Sequence, residues 1–182
     1  SPNGATAKDG YRSLLWLEEQ VRHRLPESRA PLFAPAELPV YHGLEFIEFA
    51  ATPSQAGVLG DRLAQLGFAE EGTHRSKRVS LWRNGGARVV VNAQPHSWAD
   101  HFHQRHGVSL CAMALRVSQS AAIVERARAL GYATWQGDAG PNESPIPAVC
   151  APDGSLIYLI EVGDDIYTRD FHLRTDVTPR DD

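Results

Sequence analysis

Gly43-Leu44-Glu45-Phe46-Ile47-Glu48-Phe49-Ala50 and Ser109-Leu110-Cys111-Ala112-Met113-Ala114-Leu115-Arg116-Val117 open two copies of one unit. Each reads as a strand from its apolar, β-rich composition. Each runs into an amphipathic segment that closes on leucine, glycine and an aromatic: Leu66-Gly67-Phe68 and Leu130-Gly131-Tyr132. Residues 52–68, TPSQAGVLGDRLAQLGF, lie over residues 118–132, SQSAAIVERARALGY, with a gap of two residues. Stretches with strand character and tight turns follow both. The pattern predicts an α+β fold made of two βαβββ modules, residues 43–95 and 107–162, that meet edge to edge around a central hollow.

Strict alternation along the first strand puts Leu44, Phe46 and Glu48 on one face and Glu45, Ile47 and Phe49 on the other. Neither face is cleanly polar, so both are expected to be covered. Thr52 or Ser54 can cap the helix that carries Val58, Leu59, Leu63 and Leu66. Gly67 is placed to end it in the left-handed conformation. Residues 78–83 and 87–92 are strands joined by Asn84-Gly85-Gly86, a strong hairpin signal. Trp98 and Phe102, four apart, predict a short helix between the modules. In the second module Ser118 or Ser120 caps a helix bearing Ala122, Ile123, Ala127 and Leu130, and residues 146–150 and 156–162 close the unit across Pro152-Asp153-Gly154. Ile166, Tyr167, Phe171 and Leu173 give the following tail something to dock with.

The flanks differ in composition. Tyr11, Leu14, Leu15, Val21 and Leu25 recur at helical spacing, and Pro26 ends that helix. Pro26, Pro31, Pro35 and Pro39 then mark an extended linker. The expected organisation is a helix and proline-rich linker over 1–40, a domain over 41–175, and a tail over 176–182. The net charge of −4 over 182 residues gives no general attraction to nucleic acid or an anionic membrane. Cys111 and Cys150, both in apolar strand contexts, read as buried reduced thiols and point to the cytoplasm. The start at Ser1 and the single methionine, Met113, suggest a piece of a longer chain.

The duplicated module resembles the vicinal oxygen chelate superfamily of glyoxalases and extradiol dioxygenases. A closer likeness lies in GLEFIEFAA, GF followed by THRSK, the hairpin ending VVVN, HGVSLCAMALRV, and GPNE before LIYLIE. Together these resemble the N-terminal half of bacterial 4-hydroxyphenylpyruvate dioxygenase over about residues 42–175. Separately, KDGYRSLLWLEEQ (residues 8–20) resembles the end of the barrel domain in bacterial 3-dehydroshikimate dehydratases fused to a dioxygenase-like domain. The resemblance implies a parent that turns 3-dehydroshikimate into protocatechuate in aromatic catabolism. The partners of this piece would then be an N-terminal barrel and a C-terminal dioxygenase-like half, with a homo-oligomer also open.

Enzymes of the superfamily hold a divalent metal on the inner face of the sheet. A dioxygenase needs two imidazoles and a carboxylate on one face of iron. The family takes histidine from an opening strand and glutamate from a closing strand. Here the matched opening positions hold Phe46 and Ala112. Tyr158 stands at the second closing position and Val91 or Asn92 at the first. The resemblance thus implies no catalytic, cofactor-binding or metal-binding residue in this chain, an apolar inner face, and a metal in the missing C-terminal half.

Rival sites are few. His96, His101, His103 and His106 cluster in sequence, but only His103 and His106 have helical ligand spacing, with Asp100 the nearby carboxylate. Solvated or capping roles are expected for them and for the isolated His42 and His172. Thr73-His74-Arg75-Ser76-Lys77 has the composition of an anion clamp but reads as a solvated strand entry. Glu48 would be a general base if buried, though pairing with an arginine at a strand edge is expected. Asn142-Glu143 lies in a loop where polar groups can meet a ligand. The alternatives are part of a 4-hydroxyphenylpyruvate dioxygenase, a stand-alone metal-dependent or small-ligand-binding member of the superfamily, or an interaction module.

Overall fold

The computed structural model describes residues 38–137, 143 and 145–175, together with Trp16. The predicted helix over 11–25, most of the proline-rich linker, Asn142 and the tail over 176–182 lie outside the described residues. The described residues from Pro39 to 175 belong to one compact unit.

That unit is built on one sheet. The first module contributes β1 (Tyr41–Ala50), α1 (Pro53–Gln65), β2 (Ala69–His74), β3 (Val79–Asn84) and β4 (Ala87–Asn92). A short helix, α2 (Trp98–His106), leads to the second. This contributes β5 (Ser109–Val117), α3 (Ser120–Ala129), β6 (Thr134–Gln136), β7 (Pro147–Cys150) and β8 (Leu156–Glu161). The tail adds α4 (Ile166–Asp170) and β9 (Phe171–Leu173). The nine strands run in the order β6-β7-β8-β5-β1-β4-β3-β2-β9. In each module the opening strand pairs in parallel with the closing one, β1 with β4 and β5 with β8. The modules join where β1 and β5 pair antiparallel. The duplicated βαβββ architecture read from the sequence is therefore the fold.

Alternation explains most of the packing. Ile47 and Phe49 of β1 join Val89 and Val91 of β4 beneath α1, where Leu63 is buried and Ala56 and Leu59 pack beside it. In the second module Val117, Leu159, Leu115 and Val149 pack with Ile123 and Val124 of α3. The opposite, inner face carries Phe46, Leu81, Val79, Val90, Ala114 and Ile160. Glu45 departs from the expected alternation. A register shift lies between Leu44 and Phe46, and Glu45 pairs with Arg116 at 2.7 Å and Arg88 at 3.9 Å instead of joining Ile47 under α1. A bulge adds a residue to one strand and re-aims side chains, which the sequence pattern does not announce.

The helix ends show two solutions to one problem, since the first backbone N–H groups of a helix lack partners. Thr52 caps α1 with a full capping box, taking Gln55 N–H while the Gln55 side chain takes its own. At α3 neither Ser118 nor Ser120 caps as expected. The cap residue is Gln119, in the left-handed conformation and with no side-chain cap bond. Glu161 at the end of β8 accepts from Gln119 N–H at 2.7 Å and Ser120 N–H at 2.8 Å. A carboxylate brought by tertiary structure replaces a local one, which sequence spacing could not reveal. Gly67 has φ of 88° where α1 ends, as expected.

Both cysteines are free, Cys111 buried as expected but Cys150 only half-buried, a correction. Cys150 is the last residue of β7 and pairs with Leu156 across the turn, where cover is thinner. Among the described residues no helix is long and apolar enough to cross a membrane.

The tail docks more completely than its composition promised. Ile166, Tyr167 and Phe171 are buried in the inner-face core. Asp165 caps α4 through its carboxylate, which accepts from Tyr167 N–H and Thr168 N–H. Arg75 holds the other end, donating to the carbonyls of Arg169 and Thr168 at 2.9 and 3.2 Å. β9 then pairs with β2. That pairing is close: a Cβ added at Gly72 would lie 2.7 Å from the backbone oxygen of His172. Gly72→Ala is therefore expected to push β9 off the sheet and cost about 1–3 kcal/mol. Denaturant unfolding measures the loss, and faster tryptic cleavage at Arg169 and Arg174 locates it.

Candidate functional site

The inner face lines a partly open cavity of about 140 Å³. Phe46 and Glu48 reach it from β1, Val79 from β3, and Val90 and Asn92 from β4. Trp135 and Tyr158 close it from the second module, and Ile166, Tyr167 and Phe171 from the tail. The rings stand at angles around it: Phe46 and Tyr158 are tilted with centroids 6.2 Å apart, and Trp135 meets Tyr158 edge to face at 6.1 Å. Such tilted pairs suit the aromatic quadrupole.

This face is not wholly apolar, which corrects the expectation. Glu48 is 5% exposed and lines the cavity. It does not sit at a strand edge and has no arginine. β1 is central, flanked by β4 and β5, and the partner of Glu48 is Asn92, whose Nδ2 donates to Oε1 at 2.7 Å. Among the described residues nothing donates to the other carboxylate oxygen. Burial pushes the Glu48 carboxyl up to about 6, against the Asn92 hydrogen bond and the charge of Lys77. The same burial, with Glu48 and Cys111 nearby, holds the Tyr158 phenol well above its ordinary range.

At the rim two segments that were singled out separately prove to be partners. Lys77 Nζ donates to Glu143 Oε2 at 2.7 Å. Ser76 Oγ donates to Glu143 Oε1, and His74 Nε2 lies 3.7 Å from that oxygen. The 73–77 segment is thus not a solvated strand entry: it clamps an anion, the chain's own Glu143. Burial holds the His74 imidazole below its usual value, with Glu143 pulling the other way. A second polar group stands behind Tyr167, outside the cavity lining. Arg116 grips Glu45 through Nε at 2.8 Å and Nη2 at 2.7 Å. Arg88 stands 4.2 Å from the centre of the Tyr167 ring. Burial alone would raise the Glu45 carboxyl, but the arginine hydrogen bonds and charges outweigh it and leave it lowered.

The other histidines do not converge. His96 N–H is held by Asp100 at 2.8 Å, and His106 stacks on Phe102 at 4.3 Å. His103 Nε2 is buried and has no hydrogen-bond partner among the described residues, so it is not solvated as expected, while His101 is exposed. His42 bonds Ser118 Oγ, and His172 lies against Arg75. Among the described residues no three His, Cys, Asp or Glu side chains could hold a metal. Phe46, Ala112 and Tyr158, the residues matched by resemblance to metal positions, lie on β1, β5 and β8. The first closing position needs correcting. Glu48 pairs with Val90 as Ala114 pairs with Tyr158, so the counterpart of Tyr158 is Val90, whereas Val91 packs under α1. Phenyl, methyl and isopropyl groups offer no lone pairs, and the one oxygen in the set, the Tyr158 phenol, is kept protonated by burial, so these residues do not supply the two imidazoles and a carboxylate of an iron site.

Trp135 and Asp170 also line the cavity and were not singled out in the sequence. A tryptophan in a three-residue strand, two positions before Gly137, was the available signal for the first. Asp170 gave none, because its place depends on how the tail folds back.

The described family of N-terminal hydroxyphenylpyruvate dioxygenase (HPPD) domains matches residues 37–172. A 3-dehydroshikimate dehydratase of Pseudomonas putida is 46% identical over 186 residues, covering 98% of this chain and 29% of the relative. A 4-hydroxyphenylpyruvate dioxygenase of Pseudomonas sp. strain P.J. 874 is 40% identical over 133 residues, covering 71% of this chain and 36% of the relative. A solved xylose isomerase-like TIM barrel/4-hydroxyphenylpyruvate dioxygenase fusion protein superposes with a TM-score of 0.75 at 48% identity, over 93% of this chain and 28% of that one. The chain thus spans about a third or less of the length of these relatives.

The raised Glu48 carboxyl has a consequence for stability. Between pH 4.5, its ordinary value, and about 6 the folded chain binds more protons at this position than the unfolded one. Stability from this group is full below that window and is lost as pH rises through it. The loss is about 2 kcal/mol at neutral pH. Glu48→Gln, which keeps the acceptor for Asn92, should therefore be more stable than the parent chain by about 2 kcal/mol at pH 7.5 and nearly equal to it at pH 4. Urea unfolding of both chains at the two pH values measures the difference.

Proposed function

We propose, from the premise that this chain belongs to the hydroxyphenylpyruvate dioxygenase N-terminal family, that it is the scaffolding half of a dioxygenase-like domain. The observation that carries this is the set of Phe46, Ala112, Val90 and Tyr158 at the positions where a metal-binding module needs imidazole and carboxylate. A divalent metal and any oxygen chemistry would then belong to a C-terminal half. That half would be a covalent partner of this one.

The parent we favour is a 3-dehydroshikimate dehydratase fused to this domain. The dehydratase likeness takes in 98% of the chain, against 71% for the dioxygenase likeness. The first forty residues, helix and proline-rich linker by sequence, then connect an N-terminal barrel to a domain over 41–175, with 176–182 leading onward. Dehydration to protocatechuate would be the work of the barrel. Two free thiols support a reducing, cytoplasmic setting.

Incubating this chain with 3-dehydroshikimate and a divalent metal tests the assignment. No protocatechuate is expected from the chain alone, while the full-length protein forms it. Turnover by the 182-residue chain, or a stoichiometric metal held by it after dialysis, would overturn the reading.

A further inference from the structure

The scaffolding role leaves Glu48 without a task, and we propose that the inner-face cavity is a binding site for a small neutral phenol or catechol. Its ring would lie against Phe46, Trp135 and Tyr158, and its hydroxyl would donate to the unpartnered oxygen of Glu48. This goes beyond the assignment of the parent protein and does not rest on it.

Size sets the first limit. The cavity is about 140 Å³, close to the roughly 150 Å³ engineered cavity that accepts a benzene ring. One ring fits within it. The walls set the second. Phe46, Trp135 and Tyr158 present ring faces and edges, while Val79, Val90 and Ile146 supply aliphatic surface, the lining expected of a small-molecule site with few polar anchors.

The polar anchor is Glu48. It is 5% exposed, and one oxygen is held by Asn92 while the other receives no donor from the described residues. That oxygen is not sealed in by protein but opens on the cavity. A hydroxyl carried by a bound molecule can therefore reach it and supply the missing donor. Local rules broken without structural return tend to mark functional places.

Charge decides between ligand classes. The cations near the cavity are engaged: Lys77 with Glu143 at 2.7 Å, and Arg169 with Asp164 at 2.6 Å and Asp170 at 2.8 Å. An anionic ring such as benzoate would meet the carboxylates of Glu48, Glu143 and Asp170. A metal ion would find fewer than three ligating side chains among the described residues. A neutral ring with a hydroxyl meets neither obstacle, and a phenolic hydroxyl is a strong donor to a carboxylate.

Catechol titrated into the isotopically labelled 182-residue chain at pH 7.5, followed by NMR, tests this. Saturable shifts are expected at the Asn92 side-chain amide and the Trp135 indole N–H. Anisole, which keeps the ring and lacks the donor, should bind about tenfold more weakly or worse, as should benzoate. Glu48→Gln, checked as folded by circular dichroism, should weaken catechol by about tenfold or more and leave anisole unchanged, since one hydrogen bond to a charged acceptor is lost. Absence of saturable shifts overturns the proposal. So do shifts remote from the cavity, equal binding of anisole or benzoate, or unchanged catechol binding by folded Glu48→Gln.

Discussion

The antiparallel seam between β1 and β5 is the constraint on which the rest of this structure depends. It turns two modules with open edges into one nine-stranded sheet. It also sets which side chains face each other across the inner surface. Phe46 lies opposite Ala114 and Glu48 opposite Ala112. Cross-strand neighbours stand only about 5 Å apart at Cβ, so a large residue on one strand needs a small one on the other unless both turn away. The alanines of β5 give Phe46 and Glu48 their room. A shift of one residue in this register would send Glu48 beneath a helix and Ile47 into the cavity.

A second element completes what the seam begins. The inner face would be open along the first module without the tail, which returns to lay Ile166, Tyr167 and Phe171 over Val79, Leu81 and Val90. Arginines hold this cover at both ends. Arg116 donates to the carbonyls of Glu161 and Asp164 just before α4, and Arg75 to the carbonyls just within it. A five-residue helix has too little internal hydrogen bonding to stand alone. Its place is fixed by these charge-assisted bonds and by buried aromatic surface.

The fold was legible in the sequence because duplication states it twice. Leu66-Gly67-Phe68 and Leu130-Gly131-Tyr132 end equivalent helices, and strand periodicity located both modules. What stayed illegible was everything set by tertiary contact. The bulge at Glu45 leaves no mark in the pattern of alternation. The cap of α3 comes from Glu161, forty-one residues beyond Ser120. Glu48, Glu143 and the 73–77 segment were each visible in the sequence, but Glu143 and the 73–77 segment had to be folded together before either had a partner. Glu48 looked like a surface carboxylate because a single strand does not reveal how many neighbours it has.

The two modules have diverged in the face they turn inward, and that divergence accounts for the cavity. Phe46 and Ala112 occupy equivalent positions at the heart of the sheet, and neither can ligate a metal. Glu48 lies two residues beyond Phe46, one pleat further along the same face, while its equivalent in the second module, Ala114, is methyl only. The polar character of the inner surface has therefore not vanished with the metal positions. It sits one pleat away, in one module, held by Asn92 and bordered by rings from the other. A carboxylate placed there meets no pair of further ligating side chains among the described residues that would build a metal site, yet it shares its cavity with aromatic walls that suit a ring carrying a hydrogen-bond donor.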